Sequence, residues 1–373
     1  MQGARRDSVA FTVLVAVLVA VGALVMLLLI ALSGAPGTLA LATVLAALPV
    51  VPLVMCYLWL DRYEPEPRGL LVGALLWGGF VATAAAILLS GVGGLVGGFS
   101  EAENLAVLAP VTEEACKGLF LVLLLWWRRA ELDGILDGIV YAGMVGIGFA
   151  FTENILYLAA AYNGTDGLGP GGTEALTATF VVRCLFSPFA HPLFTTFIGI
   201  GVGIAVGART RALRVAAPLG GFVLAVLAHG LWNASTVYGI GSFVLVYVVL
   251  GVPALLGLAA LAIWARSAER RMLAASLGDA AQRGLIPATD IGWVVDLGAR
   301  RRARAYARAH GGSRAERAMR DYQQAAVELG FLHHRYLRGT PPPDFAVRGQ
   351  HYVARIGAVR PFIAFPGQVV PTR

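Results

Sequence analysis

Long apolar runs broken by short polar connections occupy the first 266 residues. Eight runs are each long enough for a helix to cross a bilayer, which takes about 20 residues. They fall at 9–32, 38–60, 69–95, 104–127, 135–161, 174–207, 213–234 and 242–266. The first follows Arg5 and Arg6, as a signal peptide would, but it is too long for such a segment and has no evident cleavage site. The sixth is over-long, which predicts a tilt, a kink at Pro188 or Pro192, or turns lying outside the bilayer. The pattern predicts an all-α fold, a polytopic membrane bundle of about eight helices.

Composition agrees. The chain is 58% hydrophobic and 14% charged, with a mean hydropathy of +0.73, far from a soluble globular average. Arg5/Arg6, Arg62/Arg68, Arg128/Arg129, Arg209/Arg211/Arg214 and Arg266/Arg270/Arg271 fall at alternate ends of the runs. The opposite connections (33–37, 96–103, 162–173, 235–241) contain no Lys or Arg. The positive-inside rule then puts both termini in the cytoplasm.

The character of the chain changes near residue 267. Residues 267–373 hold 17 arginines and 8 acidic residues, a net of +9, so the overall +7 belongs to this tail. Two domains are expected: a membrane core, 1–266, and a basic cytoplasmic region, 267–373. Segments 299–310 and 313–338 read as basic helices. The tail is suited to contact with anionic lipid or to a solvated, arginine-rich helical domain; a nucleic-acid arm is disfavoured. His310, His333, His334 and His351 are too scattered for a ligand set, and His333-His334 reads as surface.

Against the apolar background, embedded polar residues stand out, since a charge at bilayer depth costs several kcal/mol. The fourth run carries Glu113, Glu114 and Lys117, the only lysine in the chain. The fifth carries Glu153 and Asn154, the sixth Arg183 and His191, and the seventh His229 and Asn233. Counted at about 1.5 Å per residue, Glu113 lies about 13 Å, Glu153 about 12 Å and His229 about 8 Å from the outer ends of their runs. They can therefore share one layer in the outer half of the membrane, converging with His191 on a polar cavity. Lys117 follows Glu113 and Glu114 at i,i+4 and i,i+3, so either carboxylate can pair with it. Phe149/Glu153 and His229/Asn233 are also i,i+4.

Two chemistries fit this set. In one, His191, His229 and Glu114 hold a metal such as Zn²⁺, with an open position for water and the other glutamate as base. The absence of HExxH leaves spacing silent on zinc. In the other no cofactor is needed: Glu113 or Glu114 activates water while His229 and Asn233 stabilise the oxyanion. Asn154 and Asn233 equally suit interhelical hydrogen bonding, and Phe149 suits packing. Cys56, Cys116 and Cys184 carry no cue for pairing or nucleophilicity. Gly199, Gly201, Gly203 and Gly207 form a stripe suited to close helix packing.

The ordered pattern Glu113-Glu114-x-x-Lys117, Phe149-x-x-x-Glu153-Asn154, His191, His229-x-x-x-Asn233 resembles the PrsW family of intramembrane proteases. The loop DRYEPEPR, 61–68, is similar to a segment common in that family. The resemblance covers roughly residues 45–240. It implies a multi-pass protein of the bacterial plasma membrane, related to the CAAX prenyl endopeptidase superfamily. It also implies an endopeptidase that cuts a membrane-anchored protein, with an anti-sigma factor as the kind of substrate. Rival classes are a proton- or solute-coupled transporter using the Glu/His set as a relay, and an inactive membrane scaffold. The lack of a visible internal repeat weighs against the transporter.

Overall fold

The computed structural model describes residues 2–32, 36–63, 65–132, 134–164 and 170–367, and every regular element among them is helical. A bilayer offers backbone N–H and C=O groups no partners, so a spanning chain satisfies them within helices. Helices α1 (Val9–Leu29), α2 (Gly37–Leu60), α3 (Arg68–Gly97), α5 (Ile135–Asn163), α6 (Gly172–Gly207), α7 (Arg211–Val237) and α8 (Ile240–Gln282) are each long and apolar enough to cross a membrane. The predicted fourth span is also helical, as α4 (101–127). Its composition sets it apart, because Glu113, Glu114 and Lys117 lie on it. Their burial against α3, α5, α6 and α7 makes such a helix tolerable at this depth.

The chain divides into two compact units, Met1–Asp61 with Glu66–Ala262, and Arg62–Pro65 with Ile263–Arg373. In the first, α5 is the central helix and is buried along most of its length. Glycine lets its neighbours approach to backbone contact. A Cβ on Gly199 would lie 2.1 Å from the carbonyl oxygen of Gly138, so α5 and α6 can cross only with glycine on both sides. Gly201 and Gly203 also meet neighbouring backbone, whereas Gly207 has nothing within 4 Å and falls outside this role. Helix α6 is interrupted at Ser187–Phe189, around the expected Pro188, and restarts as Ala190–Gly207. The connections at 33–35 and 165–169 lie outside the described residues.

The loop after α2 folds back on itself. Asp61 Oδ2 accepts from the Glu66 amide at 2.9 Å, and Tyr141 on α5 donates its hydroxyl to Glu66 Oε2 at 2.6 Å. Both carboxyls are buried, so DRYEPEPR is more than the exposed polar turn its prolines suggest.

Helix α8 does not stop near 266 but continues to Gln282, because Leu273 and Leu277 are core residues of the second unit. There α9 (Ile291–Val295), α10 (Leu297–Leu337) and α11 (Phe345–Val359) pack round Val294, Tyr322 and Phe365. Helix α10 kinks at Gly312, whose φ of 65° favours glycine, between the two basic helices read from sequence. His333 is not a surface residue: it is buried, with Nε2 2.6 Å from Asp279 Oδ2.

Candidate active site

Local sequence aims α4 at its partners. Ser100 caps it, accepting from the Glu103 amide while the Glu103 carboxylate accepts from the Ser100 amide. Pro110 has no N–H to return to Ala106, and the helix just before it widens into a π turn at Asn104–Leu108. The Ala106 carbonyl faces Gly230, where a Cβ would sit only 2.7 Å away. That close approach seats α7 against α4 with His229 facing inward. On α6, the break at Ser187–Phe189 places His191 in the first turn of a new helix rather than in the middle of a straight one.

Lys117 lies at the centre. Its Nζ donates to Glu114 Oε1 at 2.8 Å and Glu113 Oε2 at 3.2 Å, and meets His191 Nδ1 at 3.1 Å. It also sits 3.7 Å from the Phe149 ring centroid, a cation–π contact beyond simple packing. An ammonium only donates, so His191 Nδ1 accepts and its Nε2–H donates to Glu153 Oε2 at 2.6 Å. Arg183 pairs with the same Glu153 carboxylate and donates from Nε to Asn154 Oδ1 at 2.8 Å.

Glu114 is held on both carboxylate oxygens. Oε1 takes Lys117 and the Nδ1–H of His229 at 3.0 Å, and Oε2 takes the Thr195 hydroxyl at 3.0 Å. With Nδ1 so engaged, the Nε2 edge of His229 faces Glu113 Oε2 at 3.8 Å. Glu113, His191 and His229 each offer a ligand atom within 4.8 Å of the others, and all three are buried. One carboxylate and two imidazoles are a common zinc donor set that leaves a position open. His229 would ligate through Nε2, since Nδ1 is engaged by Glu114; His191 must give up either Lys117 or Glu153 to ligate.

Three carboxylates (Glu113, Glu114, Glu153) face two fixed cations (Lys117, Arg183) in this cluster. Exposure is uneven across the cluster. Glu114 and Lys117 side chains are 0% exposed, whereas Glu113, His191 and Glu153 keep 11%, 10% and 14%.

The structure thus brings together Glu113, Glu114, Lys117, Glu153, His191 and His229, with Asn154 one contact behind through Arg183. Asn233 stands apart: its Nδ2 donates to the Leu105 carbonyl at 3.0 Å, an interhelical bond to α4. Glu114, the expected ligand, accepts from Lys117, His229 and Thr195, while the grouping of close ligand atoms is made by Glu113 with the two histidines. Sequence reasoning missed Thr195, although a hydroxyl at i+4 from His191 in an apolar run was a usable cue. It also missed Phe194, whose ring stacks on His229 with centroids 4.9 Å apart and looks like ordinary core in the sequence.

Comparison with known proteins points the same way. A family model described as PrsW family intramembrane metalloprotease matches residues 66–258. Protease PrsW of Geobacillus kaustophilus is 30% identical over 190 residues, covering 50% of this chain and 75% of that protein. Protease PrsW of Oceanobacillus iheyensis is 31% identical over 130 residues, 34% of this chain and 51% of its own length. Protease PrsW of Clostridioides difficile is 31% identical over 117 residues, 30% of this chain and 49% of its own length. No solved structure matches the chain.

Proposed function

The chain belongs to the PrsW family of intramembrane metalloproteases, and we propose that it hydrolyses a peptide bond in a membrane-anchored protein at the Glu113–His191–His229 group. The observation that carries this reading is the buried grouping of one carboxylate and two imidazoles, whose ligand atoms all lie within 4.8 Å of one another. Bound there by Glu113, His191 and His229, a zinc ion would polarise the scissile carbonyl and lower the pKa of water.

The surrounding residues have separate tasks in this reading. Glu114 holds the Nδ1–H of His229, fixing the tautomer and ring plane, as carboxylates behind metal-binding histidines commonly do. Thr195 and Lys117 hold Glu114 in turn. Glu153, partly exposed and hydrogen-bonded to His191, takes the proton from water and returns it to the leaving amine. Arg183 and Asn154 orient Glu153. Asn233 positions α7 and does not act on substrate.

One observation favours a metal-free variant. Lys117 already bridges Glu113, Glu114 and His191, the role a cation would fill. In that variant Glu113, which keeps some exposure, is the base. Chelation of the detergent-solubilised protein decides between the two. Loss of cleavage restored by Zn²⁺ supports the metal reading, and full activity in a metal-free preparation supports the variant. The bacterial plasma membrane, cytoplasmic termini, an anti-sigma-like substrate and contact of the basic unit with anionic lipid complete the proposal.

A further inference from the structure

A partly open cavity of about 270 Å³ lies between α6, α7 and α8. It is lined only by apolar residues, among them Phe194, Leu227, Trp232, Leu250 and Ala254. It shares a wall with the candidate active site. Phe194 stacks on the His229 imidazole at 4.9 Å and meets Trp232 edge-on at 5.9 Å, so one ring separates the cavity from the catalytic layer. The mouth faces lipid, because the lining residues Leu224, Leu227, Leu231 and Leu250 are 55%, 62%, 47% and 47% exposed on the outside of α7 and α8. At the outer end, Tyr247 donates its hydroxyl to the Phe186 carbonyl at 3.0 Å, tying α8 to α6 beside the break that positions His191.

We propose that this cavity is the specificity subsite, taking a large apolar side chain of the substrate's membrane segment next to the bond that is cut. The inference rests on the endopeptidase reading above. Three features favour this occupant. A substrate segment of an intramembrane protease arrives from the bilayer, the side on which the cavity opens. The cavity's volume is nearly twice the about 150 Å³ that accommodates benzene in an apolar protein interior, so a Leu, Phe or Trp side chain fits. Its wall is continuous with the site through Phe194, which puts a side chain held there within reach of a peptide bond at His229.

The test uses the full-length protein and a single-pass membrane reporter, with the cleaved bond mapped by mass spectrometry. Replacing the large apolar residue flanking that bond by Ala should lower kcat/KM about 10-fold or more, the range expected for losing one buried apolar side chain. Ala254→Phe, which fills the cavity from α8, should slow the large-residue reporter to the same degree and the Ala reporter much less. Equal slowing of both reporters, or of neither, overturns the proposal. A second arm is independent of catalysis: a photo-crosslinking residue at Leu250 in Glu113→Gln should capture the reporter, while one at Val215 should not. Capture of lipid alone at Leu250 overturns the proposal. Reporter captured at Leu250 but left uncut by wild type would keep the docking site and reject the endopeptidase reading instead.

Discussion

Glu114 accepts the Nδ1–H of His229 at 3.0 Å, and this one bond decides which nitrogen of the histidine faces the open side of the site. It explains why two adjacent glutamates are not equivalent. Helical geometry turns Glu114 inward between α4, α6 and α7, where it is fully buried, and leaves Glu113 on the accessible edge. The first prediction follows from this division of labour. Glu114→Gln keeps the shape of the side chain but not its charge, and should weaken bound metal about 10- to 100-fold, as loss of an orienting carboxylate does. Glu113→Gln should abolish stoichiometric metal. Elemental analysis of the two purified variants checks this; equal losses would mean that the two glutamates share one role.

Residues acting on one bond as a unit lose activity together. Glu113→Ala, His191→Ala and His229→Ala should each reduce cleavage to background while the protein still inserts and expresses. The double variants should be no worse than the singles, because the first removal already disables the step. Single-turnover assays on the reporter give the numbers. Losses that multiply would instead indicate residues contributing separately, as in a binding or relay role.

Fold and site were legible to different depths. Span positions followed from apolar run length, because bilayer thickness sets it, and the embedded charges were conspicuous by their cost. The grouping of α4 to α7 round one cluster could be inferred only from depth, and the different surroundings of Glu113 and Glu114 not at all. Those surroundings depend on Thr195 and Lys117 bonding to Glu114, a contact set made by the crossing of α4 with α6. The helix of the eighth run outlasts its apolar stretch, because residues 267–282 keep helical spacing and join the packed core of the second unit. His333 was misjudged, since nothing local marks Asp279 as its partner.

The loop carboxyls provide a pH test outside the membrane spans. Burial raises the Glu66 carboxyl from 4.5 to about 10, helped by Asp137, Asp61 and Glu131 and opposed by the Tyr141 hydrogen bond. Burial likewise raises Asp61 from 3.8 to about 7. The folded protein therefore holds protons that the unfolded chain releases. Their contribution to stability is complete below pH 4 and declines as pH rises through 7 toward 10. Glu66→Gln mimics the protonated acid and can still accept from Tyr141, so it should flatten this decline. Glu66→Ala leaves the buried Tyr141 hydroxyl without that acceptor and should cost about 1–3 kcal/mol. Thermal unfolding in detergent at pH 5 and pH 8 compares the three proteins; parallel slopes for wild type and Glu66→Gln would rule out Glu66 as the titrating group.

Orientation sets the face from which the site is reached. Five arginine-bearing ends alternate with four connections that lack Lys and Arg, and charge bias of this kind orients a bundle during insertion. A reporter fused after residue 300 should therefore read as cytoplasmic, and one inserted after residue 166 as external. Under that orientation Glu113 and His229 lie in the outer half of the bilayer, so a membrane-anchored substrate would be cut near the external end of its span. Placing compensating arginines in the connection 96–103 should weaken the bias and give mixed orientation without touching the site. An external reading at residue 300 in the unaltered protein would invert the layer. The mapped cut in the reporter would then fall in the inner half of the membrane.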